Sequence, residues 1–92
     1  MALKISENNG TFHLEGNLNA TTSRHFIIHF EYVISTTDQL NINIEKLKEI
    51  DASGVAAIQT VYRRSLMEAT SLSIIGLGCK DIYDEFRYNK VA

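Results

Sequence analysis

The dipeptide Asn9-Gly10 stands between two short runs in which apolar and polar residues alternate, and that combination commits the start of the chain to a β-hairpin. Leu3 and Ile5 alternate with Lys4 and Ser6, while Phe12 and Leu14 alternate with Thr11, His13 and Glu15. A two-residue reversal of the primed type needs positive φ at both central positions, which asparagine and glycine accept at least cost. Gly16 ends the second strand. Whatever follows must extend this antiparallel pair or cover it.

The next segments switch between helical and strand periods. From Ala20 to about Ser35 the apolar residues Phe26, Ile27, Phe30, Val33 and Ile34 recur three and four apart, behind Thr21, Thr22 or Ser23 as N-cap. Leu40, Ile42 and Ile44 then alternate with Asn41, Asn43 and Glu45, predicting a strand with one wet face, and Lys46 to Asp51 reads as a loop. A second helix is expected from about Ser53 to Glu68 on a stripe of Val55, Ile58, Tyr62, Leu66 and Ala69. Leu72, Ile74 and Ile75 form a further strand, and Cys79 to about Asn89 a closing helix around Ile82 and Phe86. The order ββαβαβα implies parallel strands joined by right-handed crossovers, with the first strand antiparallel. The expected fold is a two-layer α/β domain with a mixed four-stranded sheet and helices mainly on one face. At 92 residues, with no proline and only five glycines, residues 1–92 read as one domain without linkers.

Charge and motif content exclude most function classes. Eleven acidic residues against nine Lys and Arg give a net charge of −2, which offers no long-range attraction to nucleic acid or an anionic membrane. One cysteine, Cys79, can build neither an internal disulfide nor a thiolate cluster. No apolar run has signal-peptide or membrane-span length, so a cytoplasmic location is expected. There is no phosphate-binding loop, and Gly76-x-Gly78 lacks the remainder of a dinucleotide site. His25 and His29 have the i,i+4 spacing of metal ligands but no third partner, and read as a solvated face. Neither Ser53 nor Cys79 sits in a nucleophile elbow, and Glu45, Glu49 and Asp51 read as solvated or capping carboxylates. The chain is therefore expected to be no enzyme and to use no cofactor or metal.

One local arrangement carries a mechanism. Ile50-Asp51-Ala52-Ser53-Gly54-Val55 joins a strand to a helix at the carboxyl edge of the sheet, where α/β folds present their functional loops. Ser53 is placed to cap the helix, and a phosphate there would meet free N–H groups and the positive end of the helix dipole. It would also add roughly −1.5 to −2 charge beside Asp51, altering what docks on that edge without unfolding the helix. The plainer reading is that Ser53 only caps.

This hexapeptide resembles the signature of the STAS family, the small domains of anti-sigma factor antagonists and of sulfate-transporter tails: apolar, Asp, small, Ser or Thr, Gly, apolar. Val61-Tyr62-Arg63-Arg64 in the following helix and the Gly16-Asn17-Leu18-Asn19 loop after the second strand extend the resemblance over nearly the whole chain. It implies a bacterial regulator whose Ser53 is phosphorylated by a partner anti-sigma factor acting as an ATP-dependent serine kinase. The unphosphorylated form binds that kinase and frees a sigma factor; a PP2C-type phosphatase resets the phosphorylated form. The partner surface implied comprises Asn17, Asn19, Asp51, Ala52, Gly54 and Val55, continuing along the helix through Ala56, Thr60 and Met67. Asn17 and Asn19 stand where the family usually carries acids, which motivates an alternative: a constitutive STAS subunit of a membrane transporter complex, with Ser53 only a cap.

Overall fold

The computed structural model describes residues 2–78. Its elements are β1 (Leu3–Asn8), β2 (Thr11–Leu18), α1 (Ser23–Ile34), β3 (Gln39–Ile50), α2 (Ala52–Met67) and β4 (Ser71–Ile75). They form one four-stranded sheet in the order β1-β2-β3-β4. β1 pairs with β2 antiparallel, Asn8 facing Thr11, so the turn holds only Asn9 and Gly10. Both have positive φ, 54° and 82°, as a primed turn demands. β2 with β3 and β3 with β4 are parallel. Two right-handed crossovers stepping the same way across the sheet put both helices on one face, and α1 packs against α2 there. The closing helix expected over residues 79–89 lies outside the described residues.

Between helices and sheet lies a single apolar cluster: Leu14 and Leu18 from β2, Leu40, Ile42 and Ile44 from β3, Phe26 and Phe30 from α1, and Val55, Ile58 and Val61 from α2. Each is essentially inaccessible to water. The opposite face of the strands carries Lys4, Ser6, His13, Glu15, Asn41, Asn43 and Ser73, none of them fully buried.

Four sequence expectations need correction here. Gly16 does not end the second strand: with a φ of 106° it lies inside β2, which continues pairing with β3 through Leu18, so residues 16–18 are strand and not loop. The stretch from Lys46 to Ile50, read as loop, belongs to β3. Its buried residues change spacing from two (Leu40, Ile42, Ile44) to three (Ile44, Leu47, Ile50), and the pairing with β2 slips by one residue between His13 and Glu15 and again between Gly16 and Asn17. Each slip is a β-bulge that takes up an extra β3 residue and leaves adjacent charged pairs, Glu45-Lys46 and Lys48-Glu49, outside. Period-two reading stops at such a bulge.

The buried stripe of α2 is Gly54, Val55, Ala57, Ile58, Val61 and Ser65, whereas Tyr62 and Leu66 are exposed. Close approach selects small side chains over large apolar ones, and Ser65 satisfies its hydroxyl inside the helix by donating to the Tyr62 carbonyl at 2.6 Å. Ala69, assigned to that stripe, lies past the helix end. Its N–H reaches the Leu66 carbonyl (3.3 Å) and that of Thr70 the Ser65 carbonyl (2.8 Å), a Schellman motif that holds Ala69 at a φ of 57°.

The histidines divide. His25 is exposed, but His29 is half-buried, with Phe12 and Phe30 edge-on to its ring at centroid distances of 5.9 and 5.0 Å. Phe12 reaches α1 from the start of β2, closing what a helical projection alone shows as a wet face. His29 Nε2 is buried without a hydrogen-bond partner. Desolvation, and secondarily the nearby His25, lowers the His29 pKa from its ordinary 6.5.

Candidate functional site

The carboxyl ends of β2 and β3 meet in one corner. Asp51 N–H donates to the Leu18 carbonyl at 3.3 Å, tying the last residue of β2 to the residue that follows β3. Asp51 adopts extended backbone angles and its Oδ1 accepts from the Gly54 N–H at 2.9 Å, so Asp51, and not Ser53, is the N-cap of α2. Both residue types cap well; the bulges in β3 decide between them, because they keep Asp51 in register with Leu18. Gly54 allows the first turn to settle on β2. A Cβ at that position would collide with the Leu18 carbonyl oxygen and approach Ile50 Cγ1 to 2.9 Å. The Asp-x-Ser-Gly pattern thus has a steric and a capping rationale before any functional one.

Relieved of the capping role, Ser53 lies exposed in the first turn of α2. Among the described residues no hydrogen bond uses its hydroxyl. First-turn N–H groups lack intrahelical acceptors, so an anion on Ser53 would find donors and the positive end of the dipole within reach. Ala52 and Asp51 are exposed with it, while Ala56 and Thr60, one and two turns on, are half-buried.

The neighbouring β2–α1 loop is rigidly tied. Asn19 Oδ1 accepts from the N–H groups of Thr21 (3.0 Å) and Thr22 (3.3 Å), the Thr22 hydroxyl donates to the Asn17 carbonyl (2.8 Å), and the Ser23 hydroxyl donates to the Asn19 carbonyl (2.5 Å). An aspartate at position 19 would make the same turn, so asparagine keeps the geometry and removes the charge. Beside this loop a shallow depression of about 370 Å³ is lined by Asn19, Lys48, Glu49, Ile50 and Asp51. Lys48 is the lining residue that sequence reasoning misses, because it reads as loop, while Glu49 reads there only as a solvated or capping carboxylate; the three-residue spacing of Leu47 and Ile50 is the available signal. Among the described residues no group of three His, Cys, Asp or Glu is placed to hold a metal, and no helix is long and apolar enough to cross a membrane.

Residues 1–82 match the family model of the STAS domain. The chain belongs to the STAS family. Its STAS fold is similar to solved structures at low sequence identity. An anti-sigma factor antagonist from Mycobacterium paratuberculosis aligns with a TM-score of 0.75 at 13% identity, over 97% of this chain and 80% of that one. The anti-sigma factor antagonist SpoIIAA in its unphosphorylated form gives 0.62 at 14% identity, over 92% and 97%. Mglu gives 0.66 at 13% identity, over 80% of this chain but only 19% of its own. No curated protein matches the chain. Of the STAS residues expected to form a partner surface, Asp51, Ala52 and Ser53 lie on the exterior and Asn19, Ala56 and Thr60 partly so. Asn17, Gly54 and Val55 are buried and shape the corner from beneath.

Proposed function

We propose that this STAS domain is a regulator of the anti-sigma factor antagonist type, which binds a partner anti-sigma factor with serine-kinase activity and is released when Ser53 is phosphorylated. The observation that carries the reading is the exposed Ser53, its hydroxyl unused, in the first turn of a helix already capped by Asp51. Because capping does not depend on Ser53, phosphorylation there changes the charge of the edge while the helix stays anchored. The likeness to two anti-sigma factor antagonists supports the protein-binding role. The chain acts in the cytoplasm as substrate and switch, and a PP2C-type phosphatase reverses the modification.

Peptide-level mass spectrometry on protein from its native host tests this by locating a phosphate on Ser53. Ser53→Ala should abolish it and keep the co-purifying kinase bound, whereas Ser53→Asp should weaken that binding about tenfold or more, equivalent to about 1.4 kcal/mol. The uncharged Asn17 and Asn19 favour a second reading, a constitutive subunit of a transporter complex. Ser53 unmodified under every growth condition, with equal partner binding by both variants, would select it.

A further inference from the structure

The two edges of the sheet are not alike. β1 carries Lys4 and Glu7, the charges that commonly discourage edge-to-edge association. β4, Ser71-Leu72-Ser73-Ile74-Ile75, carries neither charge nor proline, and among the described residues no strand pairs with its outer edge, the side away from β3. Leu72 and Ile74 face the core yet are only half-buried, as expected where the neighbouring strand is missing on one side.

Backbone direction follows from one bond. The Ser71 N–H donates to the Asp38 carbonyl at 2.9 Å, and Ser71, Ser73 and Ile75 pair in parallel register with Gln39, Asn41 and Asn43. In a parallel ladder the groups that reach the neighbour alternate along the strand. Leu72 and Ile74 therefore direct their N–H and C=O groups outward. That outward set is self-complementary. A second β4 running antiparallel about a two-fold axis at Ser73 would pair Leu72 with the partner's Ile74, and Ile74 with the partner's Leu72, each exchanging two hydrogen bonds. Leu72 and Ile74 would meet on the core face, and uncharged Ser71, Ser73 and Ile75 would meet on the other.

We infer that β4 is the contact strand of a two-fold dimer of this chain, which joins two four-stranded sheets into one through antiparallel β4 pairing centred on Ser73. The isologous geometry satisfies both copies with one surface. One strand pair is small beside the roughly 1,600 Å² of a standard stable interface, so the dimer is concentration-dependent.

Cysteine cross-linking reads the register directly. In a Cys79→Ser background, Ser73→Cys places two thiols on a non-hydrogen-bonded pair with Cα atoms about 4.5 Å apart, within disulfide reach. Ser71→Cys faces the partner's Ile75, which leaves its own copy about 13 Å away at the rise of a strand. Mild oxidation should link Ser73→Cys into a dimer about tenfold or more faster than Ser71→Cys. Ser73→Lys, which sets two ammonium groups opposite each other, should shift sedimentation toward monomer at unchanged melting temperature. Failure of Ser73→Cys to link at any concentration overturns the dimer, as does equal linking at both positions. An edge covered by residues 79–92 or reserved for a different protein would give the first of these results.

Discussion

Replacing Gly54 by alanine tests the geometry that presents Ser53, because two effects of opposite sign compete. Gly54 lies inside α2 without a positive φ, and helix propensity alone would make alanine more stable by about 1 kcal/mol. The new methyl, however, collides with the Leu18 carbonyl oxygen, a backbone atom that accepts from Asp51 N–H, and crowds Ile50 Cγ1. Nothing at the far end of a flexible side chain can yield. The helix must lift, which costs about 1–3 kcal/mol for overpacking and about 1 kcal/mol for the strained Asp51 cap. After the propensity gain the net loss is about 2 kcal/mol, a fall of roughly 8–16 °C in Tm for a domain of this size. Calorimetry or urea unfolding followed by far-UV circular dichroism measures it. An unchanged or raised Tm would refute the close seating of α2 on β2.

The reverse exchange at the other end of α2 should stabilise. Ala69→Gly relieves a left-handed residue with a Cβ and is expected to add about 1 kcal/mol, visible as a higher urea midpoint at constant m-value. In the hairpin, Gly10→Ala meets no atom within 4 Å, so only its φ of 82° matters, and a loss of about 1–2 kcal/mol in the same assay is expected. Ile42→Val removes one methyl from the fully buried centre of β3 and should cost about 1 kcal/mol. His29 ionises less readily in the folded chain than in the unfolded one, so its contribution is whole above pH 6.5 and is lost as the pH falls below that value. His29→Phe should flatten this part of a stability–pH profile; a profile identical to that of the parent would argue against burial of the ring.

Features set by local chemistry were legible in the sequence. Asn9-Gly10 needs no distant partner to force a primed turn, and Phe26, Phe30, Val33 and Ile34 define the buried side of α1 by spacing alone. The parallel arrangement followed from the alternation of elements, and the Asp51–Gly54 junction emerged as the corner where two strand ends meet. What was hidden depended on neighbours. The second half of β3 is a strand only because β2 pairs with it across two slips. Asp51 displaced Ser53 as the cap because Leu18 holds it, and Tyr62 and Leu66 lost their places on α2 to Ala57 and Ser65 because the packing is close. His29 became half-buried through an aromatic residue seventeen positions earlier in the chain.

The two slips give β3 a length that can be edited. In an ordinary strand, removing one residue turns every later side chain to the wrong face. Here Lys48 faces no β2 residue, and deleting it would leave Leu47-Glu49-Ile50 in plain alternation with Gly16, Asn17 and Leu18 opposite. Loss of Glu45 would regularise Ile44-Lys46-Leu47 in the same way. Deletions at these two points leave inside and outside unchanged. Ile50 stays opposite Leu18 and Asp51 keeps its bond to the Leu18 carbonyl, so the start of α2, and Ser53 with it, holds its place on the corner. The length of β3 is thus free to change by a residue at either slip while the presentation of the serine is held by β2.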